Sequence, residues 1–193
     1  MAPVNILTLK ELTLKLVMLM ALTQAARVQT LHLLVLKNIS IGDDSITIWL
    51  GGNLKQCRPN CNIQVVQFRA FTKDTSLCVC DTLKVYIART EQLRPVGQVD
   101  GQLLISFVKP HKPVSKDTIA RWIRTMLLLS GVNTEKYTAG SVRSAATSKA
   151  KAMAVPVAHI MAKAGWSQET TFAKHYDKVI ACDVDDFQEA VLG

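Results

Sequence analysis

The run ISIGDDSITIWL, Ile39 to Leu50, decides how this chain is built. Ile39 and Ile41 precede a Gly42-Asp43-Asp44 turn, and Ile46, Ile48 and Leu50 follow it at every second position. A two-residue apolar period about a Gly/Asp turn is the pattern of a β-hairpin. Beyond it, Gly51 to Asn62 reads as a loop carrying Lys55, Arg58 and Pro59, and Ile63, Val65, Val66 and Phe68 read as a returning strand. The expectation is a three-stranded antiparallel sheet with a basic loop at its tip.

Helix surrounds that sheet on both sides. Residues 7–37 read as two helices. Leu12, Leu14, Leu16, Leu19, Met20 and Leu22 are too dense for a single stripe, so the first helix belongs inside. A break at Thr23-Gln24-Ala25-Ala26 places Arg27 at the start of the second, with Leu31, Leu34 and Val35 facing the core. After the sheet, helix is expected over Thr82 to Leu93, a short strand over Leu103 to Val108, and a loop over Lys109 to Pro113. Ser115 can cap a helix running through Ile119, Trp122 and Leu127 to Gly131. Residues 139–154 read as helix, Pro156 opens a shorter one that ends at Gly165, and a last helical stretch holds Phe172 and Tyr176. An acidic, amphipathic tail runs from Asp183 to Leu192. The fold class is therefore mainly α (α+β), with residues 1–193 as one domain.

Composition sets bounds on function. With 49% apolar and 20% charged residues in 193, the chain has material for a core and is not disordered throughout. Its net charge of +8 favours an acidic partner, nucleic acid ahead of a membrane surface, and an ordinary basic domain is equally compatible. The most apolar run, Leu16 to Leu22, is too short to span a bilayer, so no membrane partner is expected. The opening MAPVNILTLKEL lacks the layout of a secretory leader. Five cysteines, an odd number, fit reduced intracellular thiols. Cys57, Cys61, Cys78 and Cys80 stand at CxxxC and CxC spacing rather than as paired CxxC knuckles, so buried thiols are preferred to zinc. Neither a metal nor a cofactor is expected.

Several phrases occur in an order that carries more than any one of them. These are LMALTQAARVQTL around Arg27, the loop with Lys55, SFVKPHKPVSKDTIARWI, GSVRSAATSK around Arg143, and AGWSQETTFAKHY with Trp166 and Tyr176. Singly, each reads as a solvated cation or a packed aromatic. Together they resemble the catalytic domain of the tyrosine recombinases, the phage-integrase family, and most closely the branch carried by DIRS-like, Ngaro-like and Crypton-like eukaryotic mobile elements. The resemblance spans about residues 8–180.

That resemblance implies metal-independent DNA breakage and rejoining in a nucleus. Tyr176 is the implied nucleophile, leaving a 3′-phosphotyrosine and a free 5′ hydroxyl. Arg27 and Arg143 hold the non-bridging oxygens, Lys55 protonates the departing oxygen, and Trp166 packs on the site and donates its indole N–H. Arg58, Lys149 and Lys174 are candidate contacts to double-stranded DNA. Several protomers are expected to assemble on DNA by exchanging C-terminal tails. Two guanidinium forks suit a phosphate that gains charge during displacement, and a phosphotyrosine conserves the ester for rejoining.

Two departures qualify the activity. Relatives place His, less often Lys, three residues before the second arginine, where this chain has Gly140; Thr30 stands where many carry Glu. Neighbouring His175 is no obvious substitute for that histidine, since adjacent helical side chains diverge by about 100°. Relatives also carry a helical DNA-clamping domain ahead of the catalytic one, and this sequence is expected to lack it. The competing readings are a catalytically decayed DNA-binding module derived from a mobile element, and a helical interaction protein with no nucleic-acid role.

Overall fold

A computed structural model describes residues 4–50, 65–94, 101–166 and 168–175. The first long helix, α1 (Leu9–Thr23), starts at a capping box in which Thr8 and Glu11 satisfy each other's backbone N–H groups. Leu12, Leu16, Val17 and Met20 are fully buried along it. It is apolar nearly all round because α3 (Val79–Thr90), α4 (Lys116–Leu129) and α5 (Ser141–Ala152) pack against it. Each such side chain contributes about 1.5–3 kcal/mol, so α1 is the axis of the core. Lys15 is also enclosed, its Nζ without a hydrogen-bond partner among the described residues.

The hairpin expectation holds. Strands β1 (Ile39–Ile41), β2 (Ser45–Trp49) and β3 (Val65–Arg69) form one antiparallel sheet in that order. Ile46 pairs with Phe68 and Ile48 with Val66, and all four are buried on one face. The register follows from the two-residue period, since a slip of one would turn this set to solvent. The 51–64 loop, with Lys55, Arg58, Cys57, Cys61 and Ile63, lies outside the described residues.

Four boundaries differ from expectation. The second helix, α2 (Val28–His32), is shorter, and Leu34 reaches the core from the turn beyond it. Helix α3 begins earlier because the Cys78 sulfur accepts the Asp81 N–H and caps it. A 3₁₀ turn at Glu91–Leu93 ends it. The strand expected at Leu103–Val108 is replaced by two single bridges, Val35 to Gln102 and Ile105 to Pro113. Side chains do the work of a ladder there: Tyr86 Oη accepts the Ile105 N–H at 3.1 Å, and Arg94 donates to the carbonyls of Gln102 and Leu103. Pro113 has no N–H to extend the pairing.

The C-terminal part follows the reading closely. Ser115 Oγ accepts the Thr118 N–H and caps α4, whose Trp122 stacks on Phe107 at 5.2 Å. Helix α6 (Val157–Ala164) follows Pro156 and stops at Gly165, which takes φ +67. Helix α7 (Glu169–His175) carries buried Phe172. Tyr176 and the acidic tail lie outside the described residues. Cys78 and Cys80 are buried thiols, and burial pushes Cys80 up from its ordinary value.

Candidate nucleic-acid interface

Three segments distant in sequence meet at one guanidinium. The turn after α1 places Ala25 at φ +44, and Arg27 then caps α2 in extended backbone with its side chain exposed. Arg143, on the first turn of α5, is buried; its Nη1 donates to the Ala25 carbonyl at 2.6 Å and its Nη2 to the Ala164 carbonyl at 2.6 Å. Its face lies 4.5 Å over the Trp166 ring, and Trp166 in turn meets Phe172 at 5.6 Å. Ala25, Ile160, Ala164, Trp166 and Phe172 make a second apolar cluster around this junction. Apolar surroundings strengthen the charge-assisted bonds, and the aromatic face adds a cation–π contact.

Of the expected site residues, the structure thus joins Arg143 directly to Trp166 and to the turn that presents Arg27. Lys149 is exposed on α5 and Lys174 on α7. Lys55, Arg58 and Tyr176 fall outside the described residues. Gly140 is the exposed residue before α5, with helical φ −68 and ψ −26. A Cβ built there would meet only Thr138 Oγ1, at 3.6 Å, so the backbone does not demand glycine. Among the other tyrosines, Tyr86 is buried and hydrogen-bonded in the core, and Tyr137 is exposed before α5.

Other participants left no motif. Gln24 Nε2 donates to the Gln67 carbonyl at 2.7 Å and Lys163 Nζ to the same oxygen at 3.2 Å, tying α1 and α6 to the outer edge of β3. Burial of its ammonium lowers the Lys163 pKa, and the nearby Arg69 charge lowers it further. The carbonyls of Ala25 and Ala164 are backbone groups, which side-chain patterns do not mark; the positive φ at Ala25 has no glycine to announce it. Among the described residues no cluster of His, Cys, Asp and Glu could hold a metal, and no helix is long and apolar enough to cross a membrane.

Helices packed around a three-stranded antiparallel sheet, with this arginine junction between α1, α5 and α6, define the fold of a tyrosine recombinase catalytic domain. The likeness is to particular solved structures. XerH site-specific recombinase bound to difH substrate in a pre-cleavage complex matches with a TM-score of 0.64 and 16% identity, over 96% of this chain and 48% of that one. Its post-cleavage complex with a palindromic difH substrate gives 0.65 and 15%, over 96% and 47%. XerA recombinase gives 0.63 and 15%, over 96% and 59%. The chain therefore spans about half the length of the XerH chains it matches. No family model and no curated protein sequence matches it.

Proposed function

We propose that this chain breaks and rejoins double-stranded DNA through a 3′-phosphotyrosine intermediate, as the catalytic part of a recombinase of mobile-element origin. The supporting observation is the junction at Arg143, which gathers Trp166 and the Arg27 turn although they lie far apart in sequence. In this reading the Tyr176 phenolate oxygen attacks phosphorus, the P–O5′ bond breaks, and Lys55 gives its proton to the departing oxygen. One phosphodiester replaces another, so rejoining needs no nucleotide cofactor. Arg27 and Arg143 brace the non-bridging oxygens, and Trp166 holds the Arg143 plane. Arg58, Lys149 and Lys174 neutralise flanking phosphates, giving affinity that falls with salt. The DIRS-like, Ngaro-like and Crypton-like affiliation, the nuclear setting and tail exchange between protomers on DNA belong to the same proposal.

A second reading, a DNA-binding module that no longer cuts, is favoured by Gly140, which offers no side chain for proton transfer. A nicked suicide duplex separates the two. A covalent complex that forms with the parent and is lost in Tyr176→Phe supports the recombinase; salt-sensitive binding with no complex supports the module. Absence of any salt-sensitive DNA binding returns the chain to the class of helical interaction proteins.

A further inference from the structure

An apolar groove lies at the C-terminal end of α1, away from any assigned role. A cavity of about 510 Å³ is walled by Leu22, Phe68, Phe71 and Leu77, and a second of about 260 Å³ lies against α5 and α6. Leu22, Thr23 and Lys163 line both, so the two meet there. Leu22 is 39% exposed, and Phe71 and Leu77 are each 42% exposed, which leaves a substantial apolar floor in water. The charges at its edge are cationic: Lys163 on α6 and Arg69 at the end of β3. Neither cavity is lined by a carboxylate among the described residues.

An apolar floor with a cationic edge selects its occupant. A DNA backbone would satisfy the edge but not cover the floor, because it has no apolar face of its own. The chain contains a segment that does both. Beyond His175, residues 176–193 carry Asp177, Asp183, Asp185, Asp186 and Glu189 against the single cation Lys178. Within it, Val184, Phe187 and Val191 stand at i, i+3 and i+7, one face of a helix, with the acidic residues on its flanks. The approach is short. Helix α7 is held by Phe172 in the cluster that contains Ile160, and Ile160 also lines the smaller cavity. Residues 176–182 reach about 25 Å when extended, against a length of about 12 Å for α6. A tether of that kind holds its end at roughly millimolar effective concentration.

We propose that residues 183–192 pack back into this groove of their own chain, with Val184, Phe187 and Val191 on the floor of Leu22, Phe71 and Leu77. Asp185, Asp186 and Glu189 then face Lys163 and Arg69. The docking describes the chain free in solution, and it stands independently of the recombinase reading and of any tail exchange on DNA.

Hydrogen exchange on the full-length chain, resolved by peptide mass, tests this at low and high protein concentration. The tail amides are expected to exchange at least about tenfold more slowly than in the free peptide 176–193, equally at both concentrations. Leu22→Asp is expected to release that protection while the amides of α3 and α4 keep theirs; if α1 itself loosens, Phe71→Asp on the neighbouring loop carries the same expectation. Lys163→Glu is expected to lose part of the protection and Asp186→Lys in the same chain to return it. Tail exchange at the free-peptide rate in the parent overturns the proposal. Protection that appears only at high concentration overturns it too, since the occupant is then a second copy.

Discussion

Replacing Arg143 by alanine should damage the fold as well as any chemistry, and the size of the damage follows from its contacts. The side chain gives two charge-assisted hydrogen bonds, to Ala25 and Ala164, each worth about 1.5–3 kcal/mol. Its seat on Trp166 adds about 0.5–2 kcal/mol. These terms do not sum simply, and losing one partner of a buried charged arrangement typically costs about 3–5 kcal/mol. For a domain of this size that corresponds to a fall in melting temperature of about 6–20 °C. Arg143→Lys should recover less than half, because an ammonium cannot reach both carbonyls in one plane. Arg27→Ala is the control: an exposed side chain there should cost under about 1 kcal/mol. Thermal unfolding of the three variants reads the difference directly. An Arg143→Ala protein melting within about 2 °C of the parent would refute the reasoning, whatever its activity.

Gly140→His should fold within about 0.5 kcal/mol of the parent, since φ is already helical and the new Cβ meets only Thr138 Oγ1 at 3.6 Å. On the recombinase reading it should also form the suicide-duplex complex faster, with a pH dependence near that of imidazole. Lys15→Met should stabilise by about 1–3 kcal/mol in a denaturant titration, because it replaces a buried ammonium lacking a hydrogen-bond partner with a similar apolar volume. Tyr86 sets an alkaline limit. Burial pushes its phenol above the ordinary 10.0, so the unfolded chain releases this proton first and stability is lost as pH rises beyond that value. Tyr86→Phe should flatten that loss relative to the parent while costing the hydrogen bond from Ile105.

How legible all this was depends on which physics each part used. Ile46 and Ile48, Ser115, Pro156 and Gly165 read correctly because periodicity, caps and helix stops are local rules written in side chains. The strand at Leu103–Val108 read wrongly because its alternation was apolar enough, while its partners were supplied by Tyr86, Arg94 and a proline elsewhere in the chain. Trp166 and Arg143 were found by resemblance, yet their contact was not derivable from spacing. The carbonyls that hold the guanidinium come from two alanines, and nothing in an alanine side chain marks its backbone as an acceptor. Lys163 was passed over as one cation among many; its importance lies in the oxygen it shares with Gln24.

The bond between Arg143 and Ala25 closes a separation of 118 residues, and the one to Ala164 closes another 21. A chain growing from its N-terminus has therefore made its sheet and most of its core before the guanidinium finds either acceptor. Contacts this remote are slow to form, because loop-closure entropy is lost before they repay it. Nascent or half-folded molecules would hold exposed cations without the arrangement that could act on a phosphodiester. The site's competence is thus timed to the end of folding, so a molecule that has not finished its fold is an ineffective one rather than a careless one.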